Sequence, residues 1–165
     1  MKLNRSVRCR RGLAMGALVI ATGLGFAPGA ADAASLMAPS KQSLTDSNRD
    51  CNGSFISSPT KTGGSAIMVE TPPFHVVPSF LTALVTVRDA TPNASYNVRI
   101  IQDGAGGLVG SCNVVVGQVR TDSKGNGLTI GATTLLAGAT SWYVDLNNAQ
   151  NFGDYLDTDS VSISG

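Results

Sequence analysis

Carboxylates are densest near the end of the chain, in Gly153-Asp154-Tyr155-Leu156-Asp157-Thr158-Asp159-Ser160. On an extended strand Asp157 and Asp159 point to the same side, about 6–7 Å apart. A carboxyl pair at that spacing could serve glycoside hydrolysis, one group protonating the leaving oxygen while the other activates water. The same oxygens, joined by Asn147, Asn148 or Asn151, could instead hold Ca2+, a hard cation that wants several oxygen ligands. Neither pattern is complete. The EF-hand spacing is absent, and Glu70 is the single glutamate in the chain. The reading taken for Asp154, Asp157 and Asp159 is a solvated loop or strand end, with calcium as the alternative.

Other catalytic sets are missing their parts. A serine or cysteine nucleophile needs a base beside it. The one histidine, His75, lies in the proline-bounded stretch Thr71-Pro72-Pro73-Phe74-His75-Val76-Val77-Pro78, and no Gly-x-Ser-x-Gly elbow surrounds any serine. His75 is therefore read as structural or exposed. Gly104, Gly106, Gly107 and Gly110 lead into a strand rather than a helix, so they do not form a phosphate loop. No cofactor is expected. Trp142, Tyr143 and Tyr155 are candidates for a sugar-stacking platform. In a strand Trp142 and Tyr143 face opposite ways. Trp142 shares its side with Val144 and Leu146 and belongs in a core, whereas Tyr143 lies with Asp145 on a face expected to meet solvent.

The start of the chain reads as an export signal. Lys2, Arg5, Arg8, Arg10 and Arg11 precede an apolar run from Leu13 to Ala27, followed by Ala30-Ala31-Asp32-Ala33-Ala34. Ala31 and Ala33 suit the small pockets of a signal peptidase, which places cleavage after Ala33. The apolar run is shorter than the ~20 residues needed to span a bilayer, so no membrane span is expected once it is removed. Residues 34–165 then carry seven Lys and Arg against ten Asp and Glu. That balance argues against nucleic acid and anionic membranes as partners. The expected location is secreted, extracellular or cell-wall associated, and the source bacterial.

Removing residues 1–33 takes Cys9 and leaves Cys51 and Cys112. An even pair in an exported chain reads as a disulfide. Two cysteines and one histidine cannot complete an ordinary zinc site.

The elements that would carry these groups are strands. Residues 34–65 are rich in Ser, Thr, Asn and Gly and read as an extended arm with one short strand around Cys51–Ser57. A body follows over 66–165. Leu81, Ala83, Val85 and Val87 alternate with Thr82, Thr86 and Arg88, and Tyr96, Val98 and Ile100 alternate with Asn97 and Arg99. Asp122-Ser123-Lys124-Gly125-Asn126-Gly127 reads as a tight hairpin connection. Seven to eight short strands at this spacing predict an all-β fold, a single antiparallel β-sandwich.

The run Val85-Thr86-Val87-Arg88-Asp89-Ala90-Thr91-Pro92-Asn93-Ala94-Ser95-Tyr96-Asn97-Val98-Arg99 resembles a segment of immunoglobulin-like or fibronectin type III-like secreted bacterial domains. In those domains a strand passes through a Pro-containing turn into a Tyr-x-Val strand. The resemblance spans residues 80–147, extends to the turn at Thr121–Gly127, and is shared with small secreted proteins of high-GC Gram-positive bacteria. It implies an immunoglobulin-like sandwich and export, and it carries no site residue. The function expected is non-enzymatic: binding an extracellular protein, or a cell-wall or glycan partner, through loops on a rigid scaffold. The alternatives are a hydrolase built on the C-terminal aspartates and an inhibitor presenting Thr71–Pro78.

Overall fold

The computed structural model describes residues 38–71 and 78–164; the stretch expected to be an export signal, Cys9, His75 and most of the Thr71–Pro78 stretch lie outside them. Among the described residues there are twelve strands and no helix. Seven are long: β1 (Ser40–Thr45), β4 (Thr62–Thr71), β5 (Phe80–Val87), β6 (Ser95–Gly104), β8 (Val115–Arg120), β9 (Gly127–Thr134) and β10 (Ala139–Asn148). Five have two or three residues: β2 (Asn48–Arg49), β3 (Phe55–Ser57), β7 (Gly107–Leu108), β11 (Tyr155–Asp157) and β12 (Val161–Ser162). Such fragments are too short for a period-2 pattern to show in the sequence.

The long strands form one antiparallel, curled sheet in the order β7-β6-β10-β11-β1-β4-β5-β9, with β8 on β6 and β12 on β10. The hydrogen-bonded order ends at β9, and β8 lies alongside it. This junction depends on missing side chains. A Cβ on Gly131 would come within 2.9 Å of the Val116 side chain, and one on Gly117 within 3.1 Å of the Ile130 carbonyl oxygen. The turn at 122–127 is therefore not a hairpin between paired neighbours. It carries the chain from β8 on one sheet edge to β9 on the other. Its tight geometry is as expected: the Asp122 carboxylate accepts the N–H groups of Lys124 and Asn126, and Gly125 sits at φ +80°.

The alternating residues fill the interior. Leu81, Ala83, Val85 and Val87 from β5 meet Tyr96, Val98 and Ile100 from β6 and Trp142, Val144 and Leu146 from β10. The segment expected as an extended arm supplies β1, paired between β11 and β4, and its Leu44 enters the same core. Val114 is exposed. The pairing of β8 with β6 slips at Val98/Arg99, and β8 begins only at Val115.

Candidate functional site

Period 2 along β10 sends Tyr143, Asp145 and Asn147 to the face opposite the core. A one-layer sheet would leave that face in water. Here Tyr143 is only 2% exposed, Asp145 5% and Asn147 6%. The cover is the β2–β3 hairpin, which folds back over β6 and β10. The expectation of an exposed Tyr143 thus fails, because local periodicity cannot report a lid supplied from ninety residues earlier.

Three links hold the hairpin down. The first is a disulfide between Cys51 and Cys112, with Cα atoms 5.6 Å apart. Cys112 packs with Ile101, Tyr143 and Leu108 in a small apolar cluster outside the main core. The second is the Tyr143 hydroxyl, which donates to the Asp50 carbonyl at 3.1 Å. The third is Arg49. Its guanidinium donates to the Gly53 carbonyl and to Asp159, both at 3.1 Å, and lies 3.8 Å over the Phe55 ring. Its Nε is 3.5 Å from Asp157 Oδ2, and among the described residues neither atom has a hydrogen-bond partner. That contact is an ion pair held by charge alone.

Beneath Arg49 the carboxyls of Asp145 and Asp157 are register neighbours on β10 and β11. Asp145 accepts Arg99 Nε at 2.9 Å and Arg99 Nη2 at 3.0 Å, a bidentate clamp from the adjacent strand. The Ser47 hydroxyl donates to Asp157 Oδ1. Burial raises the pKa of Asp145 against the pull of Arg99. Burial also pushes Asp157 up to about 6, opposed by Ser47 and Arg49 and assisted by the negative charges of Asp145 and Asp159.

This has a consequence for stability. A carboxyl whose folded pKa exceeds its ordinary 3.8 holds a proton that the unfolded chain has lost. Its contribution is complete below pH 4 and disappears as pH rises through about 6. For Asp157 the loss is on the order of 2 kcal/mol. Urea unfolding midpoints should therefore fall between pH 4 and pH 7, and Asp157→Asn should flatten the fall. Stability that holds level or rises across that window would contradict this account of the cluster.

The three C-terminal aspartates do not share one site. Asp157 and Asp159 both reach Arg49, but Asp154 lies in a separate network. It accepts from Thr91 Oγ1 at 2.8 Å, Tyr96 Oη at 2.5 Å and Asn148 Nδ2 at 3.0 Å. Burial raises its pKa, but these donors together bring it below the usual carboxylate range. The asparagines named as possible calcium ligands divide as well. Asn148 joins Asp154, while Asn147 faces the hairpin. Among the described residues no group of three Asp, Glu, His or Cys side chains is placed to hold a metal ion.

Between the hairpin and the loop after β10 lies an open cleft of about 410 Å³. Its floor is polar, formed by Arg49, Arg99 and Asn147. Asn48 and the half-buried Tyr155 stand on its walls. Two apolar side chains rim it, Ile56 at 66% and Phe152 at 65% exposure. Of the proposed stacking residues, Trp142 is in the core, Tyr143 is under the hairpin and Tyr155 lines the cleft. Phe152 and Ile56 were missed from sequence. Phe152 carried one usable signal, an aromatic ring standing between the turn residues Asn151 and Gly153. No protein-family model matches the chain, and neither a curated protein nor a solved structure matches it.

Proposed function

We propose that this chain is an exported, non-enzymatic β-sandwich protein, immunoglobulin-like in architecture, that binds an extracellular or cell-surface partner through the cleft beside the β2–β3 hairpin. The carrying observation is that Ile56 and Phe152 stand more than half exposed over a polar, partly buried floor. Large apolar side chains left in water around a concavity mark a recognition surface more often than a bare face does. The hairpin is clamped by a disulfide and by Arg49, so the cleft is formed before a partner arrives, which lowers the ordering cost of binding.

Export is supported by the basic and apolar start of the chain and by a disulfide suited to an oxidising compartment. The immunoglobulin-like reading is supported at Tyr96, near the start of β6. Its hydroxyl accepts the Thr91 backbone N–H at 3.2 Å, across the Pro92 turn. A tyrosine that bonds back to the chain a few residues upstream is a hallmark of such sandwiches. The non-enzymatic reading rests on the dispersal of the carboxyls: Asp157 is 1% exposed beneath Arg49, and Asp154 is engaged elsewhere.

The test compares wild type with an Ile56→Ser/Phe152→Ser variant, both checked for an intact disulfide and β-sheet circular dichroism. Each is labelled and incubated with intact cells, cell-wall fractions and culture medium of the producing species. Retention should fall at least tenfold in the variant. Equal retention by both proteins would remove the cleft from the function.

A further inference from the structure

We infer that the chain carries a second binding site, away from the hairpin cleft, whose ligand is a small organic cation: an ammonium group on an apolar body. The site is a pocket of about 470 Å³ at the Ala139 end of β10, whereas the cleft takes Asn147 near the other end. Its volume is in the range of small-molecule sites. Four segments surround it: the end of β4, the residue before β5, the turn from β9 into β10, and the chain that follows β12.

The walls are apolar and fixed. Leu135 and Ile163 line the pocket and pack against the main core, and Leu136, 38% exposed, meets water at its edge. The Leu135 N–H donates to the Ser79 carbonyl at 2.8 Å, and the Ile163 N–H to the Thr140 carbonyl at 2.9 Å. Gln102, a buried residue of β6, ties down the turn. Its amide donates to the Thr134 carbonyl at 3.0 Å and accepts the Leu136 N–H at 2.9 Å. A pocket already formed when its ligand arrives binds at a lower ordering cost.

One lining group is charged. Glu70, the single glutamate in the chain, is 9% exposed and lines the pocket. Its Oε2 accepts the Ser164 N–H at 3.1 Å, which orients the carboxylate without neutralising it. Among the described residues the ion pairs belong to Arg49 and Arg99, and none reaches Glu70. A carboxylate drawn out of water with no cation beside it is costly, and an entering cation relieves that cost. An alcohol of the same shape gains no such attraction, and an anion is repelled. A hard metal ion wants several oxygen ligands, whereas this pocket sets one carboxylate among mostly apolar side chains. The cation is therefore organic, and the apolar walls match a hydrocarbon remainder.

Titration calorimetry tests this with hexylammonium, cyclohexylammonium and phenethylammonium, each beside its alcohol and carboxylate counterparts. At least one ammonium should bind with Kd below about 1 mM. It should bind roughly tenfold or more tightly than its alcohol, and the carboxylate should not bind. Glu70→Gln keeps the shape and an oxygen for the Ser164 N–H, and should erase the preference over the alcohol. Leu136→Ser trims the exposed wall and keeps the backbone bond to Gln102. It should weaken the ammonium and the alcohol alike, so the result does not hang on one variant. Leu128→Ser, an exposed position on β9, should change nothing. All variants are checked for the disulfide and for β-sheet circular dichroism. No ammonium binding, an alcohol bound as tightly as its ammonium, or ammonium binding undiminished in Glu70→Gln overturns the inference.

Discussion

Replacing Cys51 and Cys112 with serine is expected to cost about 4 kcal/mol of unfolding free energy, from the loop-closure entropy restored to the unfolded chain. The two cysteines are 61 positions apart, so the bridge closes a long loop. The loss has a local origin as well. The disulfide is the covalent tie between the β2–β3 hairpin and the sheet, and Cys112 is part of the cluster that buries Ile101 and Tyr143. Without it, the hairpin is held by the Tyr143–Asp50 bond and by Arg49. The variant should melt roughly 10 °C or more below wild type. Tyr143 gives the change a signature. Its hydroxyl pKa is raised, chiefly by burial and then by the negative charge of Asp103. Opening the hairpin should return its titration toward that of a free tyrosine. A double serine variant within about 1 kcal/mol of wild type in urea unfolding would show that the hairpin is not stabilised through this bridge.

Strand β5 was legible because it has one dry side. Leu81, Ala83, Val85 and Val87 alternate without interruption, and β5 follows them from Phe80 to Val87. The cysteine pairing was legible because, after the expected cleavage, two cysteines leave one choice. The site was less so. Tyr143, Asp145 and Asn147 read as a wet face because their strand neighbours decide only which side they take. Whether that side meets water depends on Asn48–Ser57, whose own sequence has almost no pattern. Nothing in the sequence around it marks Arg49, yet it organises the hairpin. The Arg99–Asp145 pair needed the strand register, which sets those two residues opposite each other and which no spacing in the chain announces.

That pair supports the second large expectation. Arg99→Ala should destabilise the protein by about 3–5 kcal/mol at neutral pH, the usual cost of leaving one member of a buried ion pair alone. Asp145 is the member left behind, and with little exposure it cannot turn to water for its lost partner. Its pKa is already raised by burial and held back by Arg99. Without the guanidinium it rises further, so the loss should be greatest at pH 7 and partly recovered near pH 4, where the carboxyl takes up a proton. Arg99→Met/Asp145→Leu removes both charges and keeps their bulk. It should regain most of the lost stability and show little of the pH dependence, because no uncompensated charge remains. If Arg99→Ala lost as much stability at pH 4 as at pH 7, the missing packing of the arginine stem, and not the unpaired carboxylate, would be the cause. If stability returns in the double variant, that protein isolates function from folding. Its cleft floor would have lost the Arg99 guanidinium while the hairpin, disulfide and rim stay in place. Cell attachment measured on that variant then reports what the polar floor contributes to recognition.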